Sequence, residues 1–423
     1  MKVKPSISRR TFMKGTAASF AGIMILPRSV LGAPGQPSPN EELTKAVVGV
    51  GGMGQGHLGY PGARLLAICD VDSSHLSTTL EKVSDDVKGY HDFREVLERP
   101  DIDIIHVPTP PHWHALISIA AAEAGKDIWC EKPMSRTIGE GMKVVEAVQR
   151  NNRMFRLNTW FRFQSKFYDF NTPVEPIKKA VENRLLGWPL RITVGRGQGF
   201  NWKFNWSGKT DLTPQPIPKE LDYDMWLGPA PYKPYHVHRT HGTFRGYWDY
   251  DGGGLGDMGQ HYLDPVQYLL EKDDTSPVEI EVDAPQQHPD AVSSWRRITM
   301  RYADGCEIVL DGDGSLEDEP YVQGPEGDLF PNMRSEITGL KEKVESLPAH
   351  APQIKDFAES VRTRNKFALN ESNGHRSCTL INLGKIAVRL GRNLKFDPVA
   401  MRFIDDDGAN RLIDQPMRGQ WHV

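Results

Sequence analysis

Cysteine is scarce. Cys69, Cys130, Cys306 and Cys378 are the four in 423 residues, far apart, with no CxxC pair and no metal-ligand spacing. That excludes a disulfide scaffold and leads us to expect free, mostly buried thiols. A surplus of positive charge is also missing: 51 Lys and Arg stand against 55 Asp and Glu, a net charge of -4. An electrostatic nucleic-acid binder needs such a surplus to neutralise phosphates, so nucleic acid is excluded as a partner. No apolar run reaches the ~20 residues that span a bilayer as a helix. Internal repeats and low-complexity tracts are absent too. What remains is a chain 39% hydrophobic and 25% charged. That is the make-up of an ordinary globular protein, and the length favours two domains over one.

The first 33 residues differ from the rest, with six basic residues and no acidic one. The run Ser8-Arg9-Arg10-Thr11-Phe12-Met13-Lys14, followed by a mild apolar stretch from Gly15 to Leu26, resembles a bacterial twin-arginine signal. Residues 1–33 are therefore expected to be a signal peptide, cleaved near Gly32 or Ala33; an anchored or frayed terminus is the alternative. The resemblance implies a periplasmic or otherwise exported protein, with no stable membrane insertion after cleavage. It also implies export of an already folded chain with anything it binds inside. Residues 34–44, rich in Pro and Gly, read as a linker.

From 45 to 157, short apolar runs (Ala46–Val50, Leu65–Cys69, Ile102–Val107, Ile128–Cys130, Met154–Leu157) alternate with helical stretches (His75–Val87, Trp113–Ala124, Gly139–Gln149). This is the pattern of βαβ units and a parallel sheet covered on both faces. From 158 to 423 the strands Leu190–Arg196, Arg296–Tyr302 and Cys306–Leu310 are separated by loops, and helices at Gln353–Arg364 and His375–Leu390 close the chain. The expected second domain is α+β, built on an open, mostly antiparallel sheet. The aromatic-rich stretch from Gly199 to Gly254 has little periodicity, and long irregular segments are more often functional than incidental.

At the end of the first run, Gly49, Gly51 and Gly54 form GxGxxG, with Gly52 and Met53 inside it. The first glycine turns tightly, the second admits a pyrophosphate, and the third brings helix and strand together. Asp70 ends the second strand 21 positions after Gly49, where an acid accepts hydrogen bonds from the adenosine ribose. It would repel a 2′-phosphate, and no Arg occupies 71–74, so NAD is expected over NADP. Asp70 could alternatively cap a helix.

Four motifs in order now resemble the Gfo/Idh/MocA family of NAD(P)-dependent oxidoreductases. They are the glycine fingerprint, Thr109-Pro110-Pro111-His112-Trp113-His114, Glu131-Lys132-Pro133, and Gly252-Gly253-Gly254-Leu255-Gly256-Asp257-Met258-Gly259-Gln260-His261. The resemblance implies an α/β protein with an N-terminal Rossmann doubly wound parallel sheet and an oligomer, a homodimer or homotetramer, formed on the back of the second sheet. It implies that Lys132 is the active-site lysine before a cis proline, that Asp257 and His261 are paired catalytic residues, and that His114 lies beside the nicotinamide. Thr109, Pro110 and Glu131 join the cofactor contacts; His112 is expected to support them.

Removing hydride from a secondary alcohol also requires a base and a group that steadies the alkoxide. Neutral His261 could take the proton near physiological pH, and Lys132 could donate to the same oxygen. Asp257, four residues before His261, would share its helix face and orient the imidazole or bond a substrate hydroxyl. The structural alternative makes Asp257 a helix cap and His261 an ordinary partly buried histidine.

Trp248 and Arg162 are further candidates for substrate contact, as are Lys203 and Arg245. The aromatic residues between Trp160 and Trp248 suit either sugar stacking or loop packing. The run His236-Val237-His238-Arg239-Thr240-His241 matches no closed metal site, and Asp311–Ser315 fits a hairpin turn better than a calcium loop; no metal is expected. The function expected is hydride transfer between a tightly bound NAD and a sugar or polyol hydroxyl. A redox-neutral glycoside hydrolase or lyase working by transient oxidation is the first alternative, and a catalytically silent NAD- or sugar-binding sensor the second.

Overall fold

The computed structural model describes residues 42–159, 161–163 and 173–422, and the chain from Leu43 onward is one compact unit. The expected signal peptide, most of the linker and Trp160 lie outside the described residues.

Six strands form the first sheet: β1 (Thr44–Val48), β2 (Arg64–Cys69), β3 (Lys88–Tyr90), β4 (Ile104–Val107), β5 (Asp127–Glu131) and β6 (Phe155–Asn158). Their order is β3-β2-β1-β4-β5-β6 and every pairing is parallel. β4 and β5 are buried at every residue, as strands covered on both faces must be. The strand order reverses between β1 and β4, which opens a crevice beyond the carboxyl ends of the strands.

Local chemistry starts the intervening helices. Asp72 accepts from the amides of Ser74 and His75 and caps Ser73–Leu80. Pro111 opens Pro111–Glu123, and Thr137 with Glu140 makes a reciprocal capping box on Ile138–Arg150. The helix expected over His75–Val87 ends at Leu80, because polar residues after it close turns instead: Lys82 donates to Thr79 and Val87 to Ser84.

The second sheet holds β7 (Arg191–Val194), β8 (Glu279–Asp283), β9 (Arg297–Arg301), β10 (Glu307–Asp311), β11 (Val322–Gln323), β12 (Leu394–Asp397) and β13 (Arg402–Phe403). Its order is β11-β7-β10-β9-β8-β12-β13, antiparallel except for β7 beside β10. The hairpin expected at Asp311–Ser315 is not one. The turn leaves β10 and leads to β11, which pairs with β7 on the far side. Its acids serve the turn itself, Asp311 accepting from the Leu316 amide and Asp313 from the Ser315 amide. The helices Val174–Glu182, Gly253–Leu269 and Glu371–Leu390 contribute to the same apolar core as this sheet. Glu371–Leu390 also packs on Ile138–Arg150, so one helix serves both sheets. All four cysteines are free and buried. Among the described residues no helix is long and apolar enough to cross a membrane.

The glycine fingerprint sits where β1 meets the helix Gly52–Leu58. Gly49 has φ +93°, and a Cβ at Gly54 would lie 1.9 Å from the Gly49 carbonyl oxygen. Gly54→Ala must therefore push the helix off the strand. We expect a loss of about 1–3 kcal/mol in stability, read as a lower urea midpoint; an unchanged midpoint would contradict the packing role.

Candidate active site

A cavity of about 290 Å³ lies in the crevice at the strand ends. At one end it is lined by Gly49, Gly51, Gly52, Met53, Thr109 and Pro110, with Asp70, His75 and His241 beside them. At the other end stand Lys132, Arg245, Asp251 and Asp257. The first set fits a dinucleotide. A Cβ at Gly52 would meet nothing within 4 Å, which leaves the backbone approachable, and the buried Thr109 hydroxyl has no hydrogen-bond partner.

Asp70 does not cap a helix; Asp72 does. Asp70 accepts instead from the Val50 amide (2.8 Å) and the Asp72 amide (2.9 Å), with His75 Nδ1 at 3.6 Å. Its carboxylate therefore fixes the fingerprint loop against the end of β2. Both oxygens keep acceptor capacity for a diol.

Glu131 ends β5 as a buried anion. It meets His57 Nε2 at 2.9 Å and accepts from Asn158 and from the Lys132 amide. Burial opposes its charge, but His57, Lys132 and Asn158 outweigh burial and hold its pKa at about 2. His57 Nδ1 in turn meets His106 Nδ1 at 3.0 Å. No motif exposed this His106–His57–Glu131 chain: its members lie 49 and 74 positions apart, and only the parallel sheet assembles them.

Lys132 follows directly, its peptide bond to Pro133 cis. Its ammonium donates to the Asp257 carbonyl (2.6 Å) and to Asp257 Oδ1 (3.0 Å). That uses two of three N–H donors and leaves one for a ligand oxygen. Arg245 Nε donates to the same Oδ1 at 2.8 Å. Burial disfavours the Asp257 charge, yet Lys132 and Arg245 outweigh it and hold the carboxyl well below its usual range. Arg245, one of several loop candidates in the sequence, is thus brought to the cavity.

His261 stands close enough to Lys132, Glu131 and Asp257 to feel their charges. It is buried, with Nδ1 2.8 Å from the Thr159 hydroxyl, its ring edge-on to Phe161, and it does not line the cavity. Burial first, then Lys132, pushes its pKa down to about 3. Burial thus keeps the imidazole neutral, and the side chain in direct contact with the Lys132 ammonium is Asp257. His114 likewise lies behind the wall, its ring nitrogens 2.6 Å from the Pro133 carbonyl and 2.7 Å from the Thr109 carbonyl. It ties two motifs together. His112 meets the Trp226 carbonyl at 2.9 Å.

Two substrate candidates are corrected. Arg162 is sealed away, its guanidinium donating to Asp264 (2.8 Å) and Asp273 (2.5 Å). Trp248 is core, its Nε1 on the His288 carbonyl at 3.1 Å. Lys203 is exposed and does not line the cavity. The aromatic segment is mostly packing: Tyr223, Trp226, Tyr235, Tyr247 and Tyr250 share one buried cluster, of which Trp226 and Phe244 also line the cavity. The histidine run disperses. The His236 ring accepts from the His238 amide and His238 meets the Tyr247 hydroxyl. His241 alone joins Asp72 and His75, whose ligand atoms gather within 4.8 Å.

With this geometry in place, the comparisons with known proteins are direct. The family model for the NAD-binding Rossmann fold matches residues 43–159, and that for the oxidoreductase C-terminal alpha/beta domain matches residues 170–423. The chain belongs to the Gfo/Idh/MocA oxidoreductase family. Inositol 2-dehydrogenase of Salmonella typhimurium is 26% identical over 206 residues, 46% of this chain and 57% of that protein. A glycosyl hydrolase family 109 protein of Shewanella pealeana is 30% identical over 173 residues, 35% of this chain and 38% of that protein. The chain thus spans little more than half the length of the curated dehydrogenases it matches. Among solved structures, the Bordetella pertussis WlbA dehydrogenase in complex with NADH and UDP-GlcNAcA superimposes with a TM-score of 0.59 at 16% identity, covering 84% of this chain and 98% of that one. Aldose-aldose oxidoreductase of Caulobacter crescentus gives 0.53 at 20%, covering 84% and 100%. These two likenesses show the fold.

Arg162→Leu leaves Asp264 buried and unpaired. We expect a stability loss of about 3–5 kcal/mol by chemical denaturation, with substrate KM unchanged in protein that folds. A raised KM at full stability would restore a substrate role.

Proposed function

We propose that this chain is an exported oxidoreductase that keeps NAD tightly bound and oxidises a sugar or polyol hydroxyl. One observation carries the reading. The Lys132 ammonium, held at the end of β5 by Asp257, opens onto the same cavity as the glycine fingerprint. When bound, the nicotinamide supplies the hydride acceptor. Lys132 donates its remaining N–H to the substrate oxygen and steadies the alkoxide. Asp257 holds that lysine in place. His261 acts through position, as a neutral neighbour of Lys132. Asp70 favours NAD over NADP, because its carboxylate would face a 2′-phosphate. Trp226 and Phe244, beside polar groups on the cavity wall, suit the CH faces of a sugar ring. A homodimer or homotetramer formed on the outer face of the second sheet completes the proposal.

Native mass spectrometry of protein exported by its own signal should show one nucleotide per chain. Lys132→Ala should stay folded, since Arg245 remains on Asp257, and should lose roughly 10²–10⁴-fold in turnover. Normal turnover would remove Lys132 from the chemistry.

The likeness to a family 109 glycosyl hydrolase supports a second reading. A hydroxyl is oxidised transiently, the neighbouring C–H becomes acidic, and the glycosidic group leaves before the carbonyl is reduced again. Mixed with candidate glycosides, the protein would then release free sugar with no net change in bound-NADH absorbance. Stoichiometric NADH build-up without cleavage would exclude this route.

A further inference from the structure

Asp72, His75 and His241 form a cluster at the nucleotide end of the cavity that hydride transfer does not use. Each offers one ligand atom, and the three atoms lie within 4.8 Å of one another. They come from two parts of the chain. Asp72 caps the helix Ser73–Leu80 just after β2, and His75 lies in its first turn. His241 comes from the turn His241–Gly246 of the irregular segment. The histidine run that ends at His241 holds no such site by itself, because the partners of its last residue stand on the parallel-sheet side.

Main chain fixes the setting. The Ser73 amide donates to the Glu220 carbonyl at 2.8 Å, and the Asp222 amide donates to the Val71 carbonyl at 3.0 Å. The irregular segment is thus bonded to the backbone on both sides of Asp72, which is buried. Asp72 Oδ1 is committed to the helix cap, accepting from the Ser74 amide and hydroxyl. Oδ2 stands 3.4 Å from His241 Nε2. The rings of His75 and His241 have their centroids 4.9 Å apart. Asp70 adds a second carboxylate, 3.6 Å from His75 Nδ1.

These distances approach those of a coordination shell. Two ligands of a tetrahedral ion with bonds of ~2.1 Å stand ~3.4 Å apart, and Asp72 with His241 already has that separation. The third ligand atom has to close by no more than about 1.4 Å. A turn of the His75 ring can supply that, because a third of this side chain is exposed. With both imidazoles neutral, Asp70 and Asp72 leave two negative charges, which a dication balances. Two imidazoles with one carboxylate suit a transition ion, whereas magnesium and calcium take oxygen ligands.

We propose that Asp72, His75 and His241 bind a divalent transition ion of the zinc type, with a fourth position open to water or a ligand oxygen. The ion joins the irregular segment to the Rossmann unit at the end of β2. No step of hydride transfer needs it, so the site stands or falls separately from the dehydrogenase reading.

The test uses the full chain, made without a polyhistidine tag and dialysed against a chelator with its nucleotide left in place. Co²⁺ is the probe, because its visible d–d bands report the coordination shell. One Co²⁺ per chain should bind, with the bands of a four-coordinate nitrogen and oxygen site. Equimolar Zn²⁺ should bleach them, and excess Mg²⁺ should not. His75→Gln and His241→Gln should each weaken Zn²⁺ binding by ~100-fold or more, with circular dichroism unchanged. His238→Gln, in the same histidine run but outside the cluster, should bind as the wild type does. Zn²⁺ should also raise the wild-type Tm, an effect that a chelator reverses and His241→Gln lacks. Binding of wild-type strength in both His75→Gln and His241→Gln means an ion held elsewhere and overturns the proposal. So does a wild type that takes up Co²⁺ only at millimolar concentration or not at all.

Discussion

The ion pair between Lys132 and Asp257 is the constraint on which the site depends. Lys132 comes from the end of β5 in the parallel sheet, and Asp257 from the helix that packs on the second sheet. Both side chains are almost buried, at 10% and 12% exposure. Charges so placed interact far more strongly than they would at the surface, so the pair fixes where an oxygen must sit to reach the lysine. Arg245 adds a second cation on the same carboxylate. Two positive charges around one negative leave the wall suited to an oxygen that becomes anionic.

Around that pair the motifs divide their labour. The fingerprint glycines make room. Glu131, anchored by His57 and Asn158, holds the strand end from which Lys132 projects. His114 spans the Thr109 and Pro133 carbonyls, so the two loops flanking the cavity keep their spacing. Each is a residue that the family resemblance places near the chemistry, and the geometry shows several of them working one layer behind the cavity surface.

The parallel sheet was readable in the sequence because β1, β2, β4, β5 and β6 are short and apolar, and burial on both faces demands that composition. β3 was not: three residues, Lys88–Tyr90, mostly exposed at a sheet edge, carry no such signal. The parallel pairing of β7 with β10 links positions more than a hundred residues apart, and no local pattern encodes it. At the site, the spacing of Asp257 and His261 put both on one helix but could not say which faced the cavity. Arg162 and Trp248 were misread for a related reason. Their residue types serve substrate recognition and core packing equally, and only burial separates the two. The cluster of Asp72, His75 and His241 escaped notice because two of its members start a helix and the third ends a distant histidine run.

Arg245 belongs to the irregular segment, in the short turn His241–Gly246 that also brings His241 to the opposite end of the cavity. One small piece of backbone therefore touches both the region beside Asp70 and the carboxylate that holds Lys132. The same backbone that seats His241 also seats the cation on Asp257. The turn is thereby a shared support: its backbone sets the position of a side chain at each end of the cavity, so neither end is built independently of the other.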